Sequence, residues 1–243
     1  MHTLRTLLQR SAAVVLVMCC GLAGAADFRD PVGQPFLVWP NIPVVRATDL
    51  GDRTIRLPVE RNASGVLPLK LFEARYLDMA ARCMRSNSPF GVCLISEGGE
   101  VGEPAVPHGL GTIARIVDWD MSQPGLLFIK TLGGERFRIV ERTLQRDRLQ
   151  TARVVPLPEP APQPVPEALK GALPLLEAII ADTGKAAFPE PHRFDDATWV
   201  GYRLAEILPI PSLARQRLLE LDDTLSRLEI IHQYLKQHNL LQG

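Results

Sequence analysis

The stretch GVLPLKLFEARYLDMAARCM, residues 65–84, decides the fold because its periodicity changes in the middle. Its first half carries leucines that alternate at period two: Leu67, Leu69 and Leu71. This alternation predicts a strand. Pro68 has no backbone N–H to give to a central ladder, so we expect an edge strand or the end of a strand.

The second half of the stretch predicts an amphipathic helix. Its apolar side chains fall on one stripe: Phe72, Tyr76, Met79, Ala80 and Cys83. Four charged side chains are left to the other side: Arg75, Asp78, Arg82 and Arg85. Taken by itself, this pattern indicates only a strand and a helix that close one layer of a core.

Composition limits the class of protein. A chain of 243 residues suggests one or two domains of the usual ~100–200 residues. Its 27 lysines and arginines balance 27 aspartates and glutamates, so there is no strong basic field for nucleic acid or an anionic membrane. The 21 prolines indicate a loop-rich globular protein.

The middle of the chain reads as β structure. We expect strands at Phe90–Ile95, Thr112–Val117, Leu126–Thr131, Arg136–Val140 and Leu149–Val155. Glu97–Gly111 is rich in glycine and proline and predicts a long loop. Two glycines at the centre of Leu132–Glu135 predict a hairpin turn, because glycine tolerates the positive φ of such turns. Short strands with one helix inserted early suggest a small closed or half-closed sheet.

A proline-rich spacer and a helical part follow. PLPEPAPQPVP, residues 156–166, predicts a stiff linker. Beyond it we expect about four helices that pack as neighbours. The first is Glu167–Ala181, in which Pro174 either starts a second segment or kinks the helix. The predicted N-caps of the later helices are Asp195 or Asp196, Ser212, and Asp222 or Asp223.

Four stretches together resemble a known family. They are LPLKLFEARYLDM at 67–79, GLGTIARI at 109–116, GGERFRIV at 133–140, and WVGYRLAEILPIP with RQRLLELDDTLSRLEIIHQYL within 199–235. In this order they resemble the substrate-binding domain of Lon protease, also called the Lon N-terminal domain. The resemblance implies an α+β fold, a small PUA-like β-barrel with one inserted helix, followed by a C-terminal helical subdomain. The expected division is a signal-like or extension segment at 1–60, a barrel at 61–155, the linker at 156–166 and a helical subdomain at 167–243.

The N-terminal sequence and the family resemblance predict different cellular locations. Arg5 and Arg10 precede an apolar run, Ala12–Ala23, that ends in an A-x-A pattern, as in a secretory signal peptide. The run is shorter than the ~20 residues of a membrane span. The resemblance instead implies a cytoplasmic protein whose first strand directly precedes Gly65, and Thr54–Ser64 matches that strand poorly. Export and a cytoplasmic location are therefore both possible interpretations. In either case we expect the mature form not to associate with a membrane.

Recognised catalytic patterns are missing from the sequence. There is no G-x-x-x-x-G-K-[ST] phosphate loop, no G-x-S-x-G elbow, no H-E-x-x-H and no C-x-x-C pair. We therefore expect no enzyme activity, no cofactor and no metal, although full-length Lon is an ATPase and a protease. Cys83 and Cys93 suit small buried side chains, and a disulfide between them stays open.

The remaining hypothesis is binding. Within FEARY, Glu73 and Arg75 are two residues apart, so we expect them to seek partners elsewhere, and Tyr76 to bury its ring. Aromatic side chains are candidates for lining a groove between the two parts: Trp119, Phe128, Trp199 and Tyr202. Phe72, Glu73, Arg75 and Tyr76 are candidate binding residues of the motif itself. The resemblance implies a non-catalytic module that binds protein or unfolded peptide segments, with an ATP-dependent protease as a partner. The alternative is a PUA-like RNA-binding protein, suggested by the cations between Lys130 and Arg148.

Overall fold

The computed structural model describes residues 44–47, 65–98, 104–183, 188 and 190–241. The strands are β1 (Val44–Ala47), β2 (Val66–Leu71), β3 (Phe90–Glu97), β4 (Val106–Gln123), β5 (Leu126–Leu144) and β6 (Gln150–Pro156). The helices are α1 (Ala74–Ser86), a 3₁₀ helix (Glu167–Ala172), α2 (Leu173–Thr183), α3 (Ala197–Ile207), α4 (Ser212–Glu220) and α5 (Thr224–Gln237).

The strands form one mainly antiparallel sheet in the order β2-β5-β4-β3-β1-β6, and β6 also pairs with β5. β1 pairs antiparallel with β3 and parallel with β6. In the described residues β2 pairs only with β5, with Pro68 opposite Lys130, so the predicted edge strand is confirmed. The expectation of an α+β fold holds in its coarser form, an antiparallel sheet with helices, and closure into a PUA-like barrel is not established.

The junction between β2 and α1 differs from the predicted stripe. Phe72 lies before the helix and is 53% exposed, so it does not belong to the buried stripe. Arg75 was expected on the outer side but is buried together with Met79, Ala80 and Cys83. Phe72 departs from the stripe because the helix begins only at Ala74, after Glu73 in extended conformation. Arg75 lies four residues before Met79 and eight before Cys83, so it shares their side of the helix.

The predicted hairpin at Leu132–Glu135 is wrong, because β5 runs unbroken from Leu126 to Leu144. The glycine pair instead lies where the register between β4 and β5 shifts, as in a β-bulge. The turn between these strands lies at Gly125, where φ is +80°, a value that favours glycine. β4 likewise begins at Val106, inside the predicted loop.

The helical part follows its local signals closely. Pro174 lies in the first turn of α2, so it starts a second segment rather than kinking one helix. Asp196 caps α3 by accepting from Thr198 N at 2.9 Å, and Asp223 caps α5 by accepting from Ser226 N at 2.7 Å. Ser212 was expected to cap α4, but it is the first helical residue and makes no such bond.

Two main hydrophobic clusters lie on either side of the proline-rich stretch. The helical cluster is centred on buried side chains of α2, α3 and α5: Leu176, Val200, Leu204, Leu228, Ile231 and Leu235. The sheet cluster packs α1 onto the strands: Leu71, Met79, Ala80, Phe90, Leu127 and Ile129. Because each part has its own core, the contact between them is free to carry polar groups.

Candidate functional site

A cavity of about 450 Å³ lies between the sheet and the helical part. Its sheet side comes from β2, β3, β4 and β5, and its helical side from α3, α4 and residues 159–162 of the proline-rich stretch. This volume is within the ~300–1,000 Å³ typical of small-ligand pockets. It is therefore large enough for a short segment of chain and too small for a folded domain.

Small residues make the sheet side of the cavity. Gly111, Gly133 and Gly134 line it together with apolar side chains such as Ile113. A Cβ at Gly111 would lie 2.8 Å from Cζ of Phe137 and closer still to the Val92 carbonyl, so only glycine fits there. The glycines of the GLGT and GGE stretches thus leave a space that larger side chains would fill.

One face of α3 makes the opposite wall. Trp199, Tyr202, Arg203 and Glu206 all line the cavity, at the i, i+3, i+4 and i+7 spacing that places side chains on one side of a helix. Arg203 Nη1 is 2.8 Å from Glu206 Oε2 in an ion pair. Burial raises the pKa of Glu206, although Arg203 and Arg215 act in the other direction.

Gly65 brings the start of β2 against this ion pair. A Cβ built on Gly65 would overlap the carboxyl group of Glu206, so the absence of a side chain allows the carboxylate to lie against the backbone. The glycine that opens the deciding stretch is therefore also a wall of the cavity. Any larger residue there would displace the Glu206 carboxylate.

Arg136 joins the sheet to the helical part at the edge of the cavity. Its Nη1 donates to Leu219 O at 2.7 Å and to Leu221 O at 3.2 Å, and its Nη2 lies 3.1 Å from Asp222 Oδ1. These bonds connect β5 to the last turn of α4 and to the turn between α4 and α5. Arg136 is only 4% exposed, so its bonds to the two carbonyls are largely shielded from water, whereas the Asp222 side chain is 80% exposed.

Several buried polar atoms on the cavity wall have no hydrogen-bond partner among the described residues. They are Arg136 Nε, Tyr202 Oη, Arg203 Nε and Glu206 Oε2, the last held only by its ion pair. Burial also raises the pKa of Tyr202, so its hydroxyl keeps its proton and remains a donor. The wall is thus mainly apolar, with a few donors and one carboxylate oxygen available to a ligand.

The aromatic side chains predicted to share a groove are divided by the structure. Trp199 and Tyr202 line the cavity, and Trp199 also packs edge-on against Phe194 with ring centroids 5.3 Å apart. Trp119 lies in the outer half of β4 and is 58% exposed, and Phe128 lies on β5 with Lys70 Nζ 5.8 Å from its ring. Neither of these two residues is part of the cavity wall, and Phe72 is likewise outside it.

The FEARY residues also lie apart from the cavity wall. The expectation that Glu73 and Arg75 do not pair is wrong, because Arg75 Nη2 lies 2.7 Å from Glu73 Oε2. Glu73 is extended rather than helical, which brings the two side chains together. Arg75 also donates to Arg148 O at 3.3 Å and lies over the Tyr76 ring, so this group connects α1 to the turn between β5 and β6.

Sequence reasoning missed the polar half of the cavity. Arg203 and Glu206 were part of a helix stripe that was read only for its apolar members, and their i, i+3 spacing was a signal that was available. In the part of the chain that the structure describes, no group of histidine, cysteine and acidic side chains is placed to hold a metal ion. No described helix is both long and apolar enough to cross a membrane.

Comparison with known proteins agrees with this architecture. The family model of the ATP-dependent protease La (LON) substrate-binding domain matches residues 64–237. Among solved structures, a Lon N-terminal domain protein from Xanthomonas campestris aligns with a TM-score of 0.58 and 29% identity, covering 80% of this chain and 94% of that one. The N-terminal domain of a Mycobacterium avium complex Lon protease aligns with a TM-score of 0.44 and 16% identity, covering 84% of this chain and 97% of that one. Comparison with curated proteins gives no match.

The chain belongs to the family of Lon substrate-binding domains, because the family model spans most of its length. The resemblance carried by the four sequence stretches is confirmed. The matched range begins one residue before Gly65 and ends at the last residue of α5, so it includes both walls of the cavity.

Proposed function

We propose that this protein is a non-catalytic recognition module that binds protein or peptide segments in the cavity between the sheet and α3. The observation that carries the proposal is a largely apolar cavity with buried, unpartnered polar atoms in a chain of the Lon substrate-binding family. Such a lining holds an apolar group and orients it with a few hydrogen bonds.

The proposal is tested with an unfolded protein as the probe. The full chain is titrated into a fluorescently labelled globular protein that has been reduced and alkylated so that it cannot refold, and anisotropy is recorded. We expect saturable binding that changes little over about a tenfold range of salt, because the contact is apolar rather than ionic. A steep salt dependence with no saturation would argue against the cavity.

A matched pair of variants locates the binding site. Gly134→Val places a side chain in the cavity, where a Cβ would meet nothing closer than 3.6 Å, so we expect the fold to tolerate it. Gly109→Val adds the same side chain to β4 at a position with nothing within 4 Å of the Cβ and outside the cavity wall. We expect at least tenfold weaker binding for Gly134→Val alone. Equal affinities for the two variants would refute the assignment.

We further propose the finer architecture and organisation expected from the sequence. The pairing of β6 with both β1 and β5 supports a PUA-like barrel. The working units are then a barrel at 61–155, a linker at 156–166 and a helical subdomain at 167–243. Limited proteolysis should cut first in residues 156–166 if these units are separate, whereas cleavage first within 167–243 would contradict this division.

The partner and compartment are proposed on the family alone. A Lon substrate-binding domain implies a cytoplasmic protein that works with an ATP-dependent protease, whereas Arg5–Ala25 implies export. The N-terminal segment is outside the described residues. Intact mass of the protein from cytosolic and exported fractions separates the alternatives, since an exported form lacks about 25 residues.

A further inference from the structure

The charges on the cavity wall are already matched with each other. Arg203 pairs with Glu206 at 2.8 Å, and Arg193 lies 3.9 Å from Asp196. Arg136, also on the wall, pairs with Asp222 at 3.1 Å. A charged ligand would have to break one of these pairs or enter beside a like charge, and both are unfavourable in a poorly solvated site.

The two other charged residues that line the cavity, Arg215 and Glu159, also lie near groups of opposite charge. Arg215 Nη2 donates to Leu208 O at 2.8 Å, and the nearby Glu206 carboxylate acts to raise the pKa of Arg215 against the effect of burial. Glu159 lies near Arg193 and Arg136, whose charges lower its pKa, although burial and Glu135 raise it overall. Within the described part of the chain, the wall therefore offers no isolated charge of either sign to a ligand.

Hydrogen-bonding capacity remains after the charges are paired. Among the described residues three wall atoms have no hydrogen-bond partner: two N–H donors, Arg136 Nε and Arg203 Nε, and one hydroxyl, Tyr202 Oη. Glu206 Oε2 is held by its ion pair with Arg203 and, as a carboxylate oxygen, can accept one further hydrogen bond. A buried donor or acceptor left unsatisfied is unfavourable, so folded proteins supply it with a partner. The fitting partner is neutral and has both acceptors and donors.

A peptide main chain has this composition, because each residue carries one C=O and one N–H and no charge. We propose that the cavity recognises an uncharged stretch of peptide main chain, with its carbonyls accepting from Arg136 and Arg203, its N–H donating to Glu206, and one apolar side chain against the glycine-lined sheet. The inference rests on the proposed function and specifies its ligand. It predicts recognition that tolerates many sequences but excludes charge at the bound position.

Three capped hexapeptides test the inference with the full chain. The parent is alanine with leucine and phenylalanine at the centre, the second replaces the two central amides by esters, and the third replaces the central leucine by aspartate. An ester removes the N–H donor and weakens the carbonyl acceptor with little change in shape. By calorimetry we expect the ester peptide to bind about 10- to 100-fold more weakly than the parent, as for loss of a hydrogen bond to a charged group. We expect the aspartate peptide to lose at least about tenfold.

A variant of the acceptor adds an independent measurement. Glu206→Gln keeps an oxygen acceptor but leaves Arg203 without its carboxylate, so the preference for the parent over the aspartate peptide should fall by about tenfold or more. Glu167→Gln is the matched control, since Glu167 pairs with Lys170 on the exposed surface and its side chain is 88% exposed. The control should leave both affinities unchanged.

The outcomes separate the two levels of the proposal. Equal binding of the amide and ester peptides, or tighter binding of the aspartate peptide by the unaltered chain, overturns the main-chain inference and leaves the recognition function standing. Binding of the unfolded protein without binding of any hexapeptide likewise overturns the main-chain inference and leaves the recognition function standing. If neither the unfolded protein nor the parent peptide binds, the proposed function itself fails.

Discussion

Arg227 allows the clearest test of how the helical part is held together, because its side chain is completely buried. Its Nε donates to Leu218 O at 2.9 Å, and its Nη2 donates to Leu221 O. The guanidinium also lies over the ring of Tyr202, 4.1 Å from the centroid. Arg227→Met keeps a long apolar stem but removes every donor and the charge.

The expected loss follows from these contacts. Leu218 O loses this donor in a buried position, which costs about 1–3 kcal/mol. The cation–π contact with Tyr202 contributes about 1–2 kcal/mol when it is desolvated. Methionine recovers part of this, since burying the guanidinium is itself unfavourable, as the lowered pKa of Arg227 reflects. We therefore expect the free energy of unfolding to fall by about 2–4 kcal/mol.

A second substitution tests the shared acceptor. Leu221 O accepts from Arg136 as well as from Arg227, so it stays bonded when either arginine is replaced alone. The double variant Arg136→Met with Arg227→Met leaves this carbonyl without both donors. Its loss of stability should exceed the sum of the single losses by about 1 kcal/mol or more.

The assay is urea unfolding followed by far-UV circular dichroism. Arg217→Met is the matched control, because Arg217 is in the neighbouring helix and its side chain is 73% exposed, where it pairs with Glu220. Such a surface pair contributes no more than about 1 kcal/mol. The reasoning is refuted if Arg227→Met destabilises the chain no more than Arg217→Met does.

Three further predictions concern single positions. Burial raises the pKa of Cys93 to about 12, so iodoacetamide at neutral pH should modify Cys93 only after denaturation, and mass spectrometry showing modification of the folded chain would contradict this. Gly111→Ala should lower stability by about 1–3 kcal/mol through overpacking, whereas Gly109→Ala, with nothing within 4 Å of its Cβ, should change it by less than about 0.5 kcal/mol in the same urea assay. Burial raises the pKa of Glu206 in the folded chain above its unfolded value, so the folded chain holds that proton more tightly and stability increases as pH falls from the folded pKa towards the unfolded one. Glu206→Gln should remove this increase, which is at most about 1.4 kcal/mol per pH unit, and an unchanged pH profile would count against the assignment.

Local sequence signals predicted strands and helix ends well at positions where the residue type is compatible with only one local structure. Alternating leucines with Pro68 gave an edge strand, and Asp196 and Asp223 cap helices because a carboxylate beside free backbone N–H groups has an obvious role. The glycine pair at 133–134 failed as a guide because glycine suits both a turn and a bulge. Only the partner strand decides between them, and that information is not local.

The candidate site was harder to predict for the same reason. The spacing of Trp199, Tyr202, Arg203 and Glu206 places them on one helix face, but sequence does not say that this face meets the glycines of the sheet. Arg136 finds its acceptors more than eighty positions further along the chain. Trp119 and Phe128 were expected in one groove with Trp199 and Tyr202 but lie outside the cavity wall, because aromatic character alone does not specify which side of the sheet is covered.

The position of β1 has a practical consequence for anyone preparing a shortened form of this protein. The family match begins at residue 64, yet Val44–Ala47 lies upstream of it and pairs with both β3 and β6. A fragment cut to the matched range would expose two strand edges that invite pairing between molecules, so it should aggregate where the longer chain does not. Cleavage after Ala25, by contrast, would leave this strand in place, so secretion and an intact sheet are compatible.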